Sequence, residues 1–315
     1  MRLGADRVRV RVPATSANLG PGFDALGLAL ALYDDIEVRA VASPGVRVEV
    51  EGEGAGQVPD SEEHLVVRAV RLALDHVGAP QSGLHLVCRN RIPHGRGLGS
   101  SAAAVVAGLA AARGLIGEPE ALSDDVLLEL ATQVEGHPDN AAPAILGGAT
   151  VAWLRADGVG AAPLVVHEDL APVAIVPPTH LSTKAARGVL PATVPHADAA
   201  FQAGRAALLV EALGRRPDLL LDATADRLHQ EYRRRVMPHS LALVDALRAA
   251  GVAAVVSGAG PTVLALARRL VDGAGTDADA AITAAFGGVM AGWQVLPLAV
   301  DTQGVRVNGA DRPIG

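Results

Sequence analysis

The sequence predicts an α+β fold, because strand patterns occur both next to one another and on either side of helical patterns. Hydrophobic residues alternate with charged residues at 8–12, 36–38 and 46–50, which is typical of half-buried strands. Turn residues at 43–45 separate the last two runs, so we expect these two runs to form an antiparallel pair. Residues 62–76 then show the apolar spacing of a helix.

The remainder of the chain continues this mixture of elements. Periodicity and flanking glycines and prolines predict further strands at 84–92, 149–154, 163–166, 173–176, 252–256, 262–267 and 295–300. The same signals predict further helices at 100–115, 124–134, 199–213, 241–250 and 279–286. A length of 315 residues favours one large domain or two medium ones, and the second half starts near Pro172.

Composition and charge exclude several classes of protein. Half of the residues are hydrophobic and only 19% are charged, which is typical of a globular chain. The net charge of −7 does not favour nucleic-acid binding, which requires a clustered basic face. No stretch reaches the ~18 apolar residues of a membrane span, and no apolar signal-peptide core occurs. A single cysteine, Cys88, fits a reducing compartment, so we expect a cytoplasmic protein.

Residues 93–103, PHGRGLGSSAA, lie between a predicted strand and a predicted helix. Their glycines allow the backbone to curl so that consecutive N–H groups point inward and form an anion cradle. Ser100 and Ser101 would begin the helix, where free N–H groups and the helix dipole attract phosphate. A tight turn with a serine N-cap and no ligand explains the pattern equally well. No lysine follows the last glycine, which excludes a Walker A loop.

Two further segments are unusually polar. PATSANLGPGFD at 13–24 follows a strand that we expect to end at Pro13, and it is either a ligand-binding loop or an ordinary turn. EGHPDN at 135–140 follows a predicted helix and offers carboxylates, a histidine and an amide to a cation and a polar substrate. A helix C-cap at Gly136 followed by a turn is the alternative. The spacing matches no zinc site, whereas Mg²⁺ prefers oxygen ligands.

Together and in this order, these segments resemble the motifs of the GHMP kinases. The first motif of that family is similar to PATSANLGPGFD, the second to PHGRGLGSSAA and the third to SGAGPT at 257–262. EGHPDN, LSTKAARGVLP at 181–191 and HQEYRRRVMP at 229–238 resemble the members of the family that act on homoserine. The resemblance runs from about Val8 to Ala267, and it is specific because independent motifs occur at matching spacing.

The resemblance implies two domains and an activity. An N-terminal, ATP-binding domain like the second domain of ribosomal protein S5 would cover 1–166, and a ferredoxin-like C-terminal domain would cover 167–315. The implied reaction moves the γ-phosphate of ATP to the side-chain hydroxyl of L-homoserine, a step of threonine biosynthesis, in a homodimer without nucleic-acid or membrane partners. Mevalonate or shikimate as acceptor is one alternative, and a non-catalytic binder of the same fold is another. A purely structural module would leave the polar loops unexplained.

The resemblance also implies site residues. ATP would contact the glycine loop, through Pro93, His94, Gly95, Arg96, Gly97, Leu98, Gly99, Ser100, Ser101, Ala102 and Ala103. The third motif would approach that loop from the other domain, with Ser257, Gly258 and Gly260. Homoserine would contact Asn18, Asp24, His137, Asp139, Thr183, Arg187 and Arg233. Mg²⁺ would be held by Ser100, Ser101 and Glu135, with Glu129 as the alternative to Glu135.

The catalytic base stays open between two neighbours. Asp139 could take the proton of the hydroxyl, or the following Asn140 could instead occupy the position of the base. The only lysine, Lys184, lies outside the first motif. Phosphoryl transfer has a loose transition state, in which alignment and charge neutralisation carry most of the acceleration. We therefore expect catalysis by alignment, Mg²⁺ and the helix dipole, with no dedicated base.

Overall fold

The computed structural model describes residues 1–271, 273–286 and 291–309, which form two β-sheets with helices packed against them. The predicted α+β class is therefore confirmed. The strands are β1 (Arg7–Asn18), β2 (Gly22–Val41), β3 (Val46–Gly52), β4 (Gly83–Asn90), β5 (Ala149–Arg155), β6 (Gly158–Leu164), β7 (Val173–Val176), β8 (Ala254–Val256), β9 (Val263–Ala265), β10 (Gln294–Pro297) and β11 (Arg306–Gly309). The α-helices are α1 (Leu65–His76), α2 (Ser100–Leu115), α3 (Asp124–Glu135), α4 (Ala141–Leu146), α5 (Thr183–Arg187), α6 (His196–Gly214), α7 (Leu220–Ala223), α8 (Pro238–Ala249) and α9 (Asp279–Ala285).

The first sheet has seven strands in the order β11-β1-β2-β4-β3, and β5 and β6 extend it from β2. The predicted antiparallel pair between 36–38 and 46–50 is wrong, because β4 lies between β2 and β3. β3 instead pairs in parallel with β4, and Val46 lies opposite Leu84. A parallel pair needs a crossover connection, which α1 supplies here. The local alternation of residues contained no information about that distant partner.

The polar segment 13–24 is mostly strand, so the prediction that β1 ends at Pro13 is wrong. β1 continues to Asn18 with a bulge after Pro13, which is a position that sheets tolerate for proline. Only residues 19–21 form the turn to β2. The end of β1 is buried on both sides, since the second half of the chain packs against it.

The second sheet has four antiparallel strands in the order β10-β7-β9-β8. With α8 before β8 and α9 before β10, this is the ferredoxin-like arrangement expected for the C-terminal domain. β11 leaves that unit and pairs with β1 of the first sheet. The domain division between residues 166 and 167 stays a prediction, and residues 310–315 of the predicted second domain lie outside the described part of the chain.

Helix α2 is the buried centre of the first domain and begins and ends at its predicted residues. Its alanines and Gly108 allow α1 to approach closely, because a Cβ at Gly108 would lie 2.5 Å from the Val66 carbonyl oxygen. This packing fixes the position of the first turn of α2 relative to the sheet. Over the described ranges, no helix is both long and apolar enough to cross a membrane.

The turn 257–262 joins the second domain to the glycine loop and to β1. The Ser257 hydroxyl donates a hydrogen bond to the Gly97 carbonyl oxygen (2.6 Å) and shares another with the Ser16 hydroxyl (2.8 Å). The Thr262 N–H donates to the Arg96 carbonyl oxygen at 3.1 Å. The glycine loop is thus held between the two domains.

A substitution at Gly97 tests how much this docking depends on the close approach of the glycine loop to the backbone of the turn 257–262. Gly97 has φ +80°, and a Cβ would lie 2.3 Å from the Ser257 carbonyl oxygen. Gly56 has φ +70° with nothing within 4 Å of its Cβ position, so it is a matched control for backbone strain alone. We expect Gly56→Ala to lower the free energy of unfolding by about 1 kcal/mol and Gly97→Ala to lower it by at least about 2 kcal/mol more. Urea unfolding measures both, and equal losses would contradict the proposed docking.

Candidate active site

The glycine loop curls because three of its glycines adopt left-handed backbone conformations. Gly95, Gly97 and Gly99 have φ of 62°, 80° and 69°. Gly99 is the N-cap of α2, and the Ala103 N–H makes the helical bond to its carbonyl oxygen. Within the described chain no side chain caps the N–H groups that precede Ala103. The serine N-cap of the alternative is therefore wrong, because Gly99 occupies the cap position, and the first N–H groups of α2 are left to receive an anion.

A cavity of about 300 Å³ lies over this helix start, between the two domains. It brings together most of the predicted site residues, from six separate segments of the chain. These residues are Asn18, Gly95, Gly97, Gly99, Ser100, Ser101, Ala102, Glu135, His137, Asp139, Asn140, Thr183, Arg187, Arg233, Gly258 and Gly260.

Several predicted residues do not line this cavity but pack behind the residues that do. Pro93, Leu98, Ala103 and Ser257 are buried. The Arg96 guanidinium turns away and donates to the carbonyl oxygens of Pro177 (3.0 Å) and Pro178 (3.4 Å). Their direct contact with ATP stays a prediction.

One hydroxyl and one carboxylate face each other beside the helix start. The Ser101 hydroxyl donates to Glu135 Oε1 at 2.7 Å, and Glu135 is the last residue of α3 before Gly136 turns the chain. Glu129 is exposed and does not line the cavity. Among the described residues, no group of three or more histidine, cysteine, aspartate or glutamate side chains is arranged so that it could hold a metal ion by itself. Two such oxygens fit a hard cation that takes its other ligands from phosphates and water.

The segment 137–140 places a buried carboxylate between two partners. Asp139 is 1% exposed, and its Oδ1 lies 2.7 Å from His137 Nδ1. This hydrogen bond raises the pKa of His137, although burial opposes the effect. The Thr15 hydroxyl donates to Asn140 Oδ1 at 2.8 Å, and the amide nitrogen of Asn140 lies 3.4 Å from Asp139 Oδ1. Asn140 therefore presents a donor and not a base.

Two arginines face the cavity from the second domain. Arg187 is held by Asp24 through two hydrogen bonds, of 2.5 and 3.2 Å, and these raise the pKa of Arg187. Arg233 is only 1% exposed, and burial, with the nearby charge of Arg187, lowers its pKa to about 10. It remains charged at neutral pH. Both guanidinium groups lie over the Phe23 ring, 5.4 and 5.8 Å from its centre.

A second cavity of about 270 Å³ lies on the other side of the helix start and shares Ser100 and Ser101 with the first. Its walls are largely apolar and include Val58, Pro59, Leu65, Val66 and Ala104. His94 also lines it, and burial lowers the pKa of this histidine. A flat, mostly apolar ring attached to a phosphate chain would fit the two adjacent spaces.

Sequence reasoning missed Thr15, Phe23 and His229. Thr15 and Phe23 lie within the polar segment 13–24, where no periodicity distinguishes a side chain that supports the site from one that contacts a ligand. His229 lies four residues before Arg233, a spacing that places both on one face of a helical turn. That spacing could have identified the pair.

Comparisons with known proteins agree with this geometry. The family model of the GHMP kinases N terminal domain matches residues 64–148, and that of the GHMP kinases C terminal region matches residues 199–284. The chain is 55% identical over 304 residues to the homoserine kinase of Streptomyces avermitilis, and the matched residues cover 96% of each chain. The crystal structure of homoserine kinase from Cytophaga hutchinsonii has a TM-score of 0.85 at 28% identity, over 97% of this chain and 98% of that chain.

The fold extends to more distant relatives. The structure of L. major mevalonate kinase in complex with R-mevalonate has a TM-score of 0.69 at 18% identity, over 93% of this chain and 95% of that chain. The expected two-domain fold is thereby confirmed. Matches to both domains and to full-length relatives show that the chain belongs to the GHMP kinase family.

Proposed function

We propose that this protein is a homoserine kinase, which converts ATP and L-homoserine into ADP and O-phospho-L-homoserine. One observation carries the proposal: an uncapped helix start and a pair of arginines, Arg187 and Arg233, face each other across one cavity. The first can hold a phosphate chain, and the second can hold the carboxylate of an amino acid. The name and the 55% identity of the Streptomyces avermitilis relative support homoserine as the acceptor.

ATP would place its phosphates on the N–H groups from Gly95 to Ser101. The helix dipole and the inward-pointing amides favour negative charge there. Its adenine would enter the second cavity, whose apolar walls begin on the far side of Ser100 and Ser101. This arrangement directs the γ-phosphate away from the adenine and into the cavity that the arginines line.

Mg²⁺ fits beside the phosphates. Ser101 and Glu135 would hold it, since their oxygens already lie 2.7 Å apart at the edge of the helix start. Ser100 lines the same cavity and stays a candidate ligand. When bound, the ion neutralises part of the phosphate charge.

Homoserine would be oriented by charge. Its carboxylate would lie against the guanidinium groups of Arg187 and Arg233, and Asp24, which pairs with Arg187, would attract its ammonium group. His137 and Thr183 line the same space. Held at its amino-acid end, the substrate extends its hydroxyl toward Asp139 and Asn140 and toward the γ-phosphate.

The chemical step then requires no protein base. The substrate oxygen forms a bond to the γ-phosphorus, and the bond from that phosphorus to the β,γ-bridging oxygen breaks, which releases ADP. The hydroxyl proton passes to an oxygen of the transferred phosphoryl group. Asp139 is already hydrogen-bonded to His137, and the amide of Asn140 is not basic. Alignment and charge neutralisation supply the acceleration.

The substrate assignment is tested by ADP release with L-homoserine, mevalonate and shikimate as acceptors. We expect kcat/KM for L-homoserine to exceed that for the other two by at least about 100-fold, because only homoserine pairs an ammonium group with Asp24. Removal of divalent metal with EDTA should abolish turnover. Preference for another acceptor would overturn the substrate. ATP and homoserine binding without ADP release would overturn catalysis.

Asp139→Asn tests the absence of a base. The variant keeps the shape of the site and loses only the charge that supports His137, so we expect kcat to fall by less than about 100-fold. Steady-state kinetics across pH 6–9 measure the change, with KM for homoserine as the check on binding. A loss of several decades in kcat at unchanged KM would identify Asp139 as the base.

The homodimer and the cytoplasmic location expected from the sequence stay predictions. Light scattering of the purified chain addresses the first of them.

A further inference from the structure

We propose that His229 is a positioning residue that holds the Arg233 guanidinium in the orientation that receives the carboxylate of the substrate. The inference rests on the proposed function, because it concerns the arginine that function assigns to the carboxylate. His229 itself does not line the cavity. It acts through Arg233, which does.

The tautomer of His229 is set by the first domain. His229 is fully buried, and its Nε2 lies 2.7 Å from the carbonyl oxygen of Gly20 in the turn between β1 and β2. A carbonyl oxygen can only accept a hydrogen bond, so Nε2 carries the proton. Nδ1 then keeps its lone pair, and it lies 2.9 Å from Arg233 Nη1 as an acceptor.

The surroundings keep this imidazole neutral. Burial lowers the pKa of His229, against the attraction of the Asp226 carboxylate 3.6 Å away. Asp226 accepts the backbone N–H groups of Leu228, His229 and Gln230, and so fixes the turn that carries the histidine. The Phe23 ring packs against the imidazole with 5.0 Å between ring centres. The lone pair of Nδ1 is therefore available to Arg233 at neutral pH.

The hydrogen bonds of Arg233 explain why an acceptor at this point matters. Nη1 donates to His229 Nδ1 and to the Gly258 carbonyl oxygen (3.1 Å), and Nε donates to the Ala186 carbonyl oxygen (3.3 Å). None of these bonds uses Nη2. The acceptors at Nε and Nη1 fix the plane of the guanidinium and leave its Nη2 edge for an anion in the cavity. Without the acceptor on His229, the buried Nη1 of Arg233 loses a hydrogen-bond partner, and the guanidinium plane is free to turn toward other acceptors.

Two substitutions separate the two ring nitrogens. The amide nitrogen of glutamine reaches the place of Nε2, so His229→Gln keeps the donor to Gly20 and removes the acceptor for Arg233. The amide oxygen of asparagine takes the place of Nδ1, so His229→Asn keeps the acceptor and removes the bond to Gly20. We expect His229→Gln to raise KM for homoserine at least about tenfold, and His229→Asn to raise it by less than about threefold. KM for ATP and kcat should change by less than about threefold in both.

The outcomes are decided by comparing the two variants with Arg233→Lys. Three outcomes would overturn the inference, because each would make His229 a general structural residue. The first is an equal rise in KM for homoserine in His229→Gln and His229→Asn, and the second is a rise in KM for ATP as large as that for homoserine. The third is a thermal scan in which either variant is already unfolded at the assay temperature. An unchanged KM in His229→Gln, with a raised KM in Arg233→Lys, would also overturn the inference and leave the proposed function intact. An unchanged KM for homoserine in Arg233→Lys would instead overturn the carboxylate site of the proposed function.

Discussion

The contact between Ser257 and Gly97 is the constraint on which the site depends. Backbone N–H groups attract an anion strongly only if they are already aligned, since realignment on binding would cost free energy. The glycine loop has three residues in left-handed conformations and would be mobile if it were exposed on all sides. Instead, the Ser257 hydroxyl binds its Gly97 carbonyl oxygen from one domain, while buried α2 anchors its end from the other. The proposed phosphate site is therefore preorganised by domain docking.

The same docking determines where the charges of the second domain are placed. Arg187 and Arg233 lie in the second domain, yet their partners include Asp24 and, through His229, the turn between β1 and β2. The buried guanidinium of Arg233 and the partly buried one of Arg187 are both hydrogen-bonded, which offsets the cost of removing their charge from water. Positive groups at one end of the cavity and helix amides at the other leave the space between them for a hydroxyl and a phosphoryl group. The cavity thus suits an acidic acceptor and a phosphate donor together.

The sequence predicted correctly those features that neighbouring residues determine, such as the start and end of α2. Helix α2 begins and ends at the predicted residues, because a glycine turn precedes it and an alanine-rich, uninterrupted run follows. The motifs named most of the residues that meet in the cavity. The partner of β3 could not be predicted, since register in a parallel pair is set by distant packing. The supporting role of Thr15 could not be predicted either, because a hydrogen bond to a neighbour 125 residues away leaves no periodic pattern. The spacing of His229 and Arg233 indicates that pair, but the hydrogen bond from His229 to a carbonyl oxygen 209 residues away leaves no such pattern.

The central claim is that amides at the start of α2, held by the second domain, grip the phosphates of ATP. A crystal structure with a nonhydrolysable ATP analogue, Mg²⁺ and L-homoserine tests it most directly. The account predicts phosphate oxygens within hydrogen-bond distance of N–H groups between Gly95 and Ser101, with the homoserine carboxylate against Arg233. Phosphates bound elsewhere, or an analogue whose phosphates touch only side chains, would contradict it.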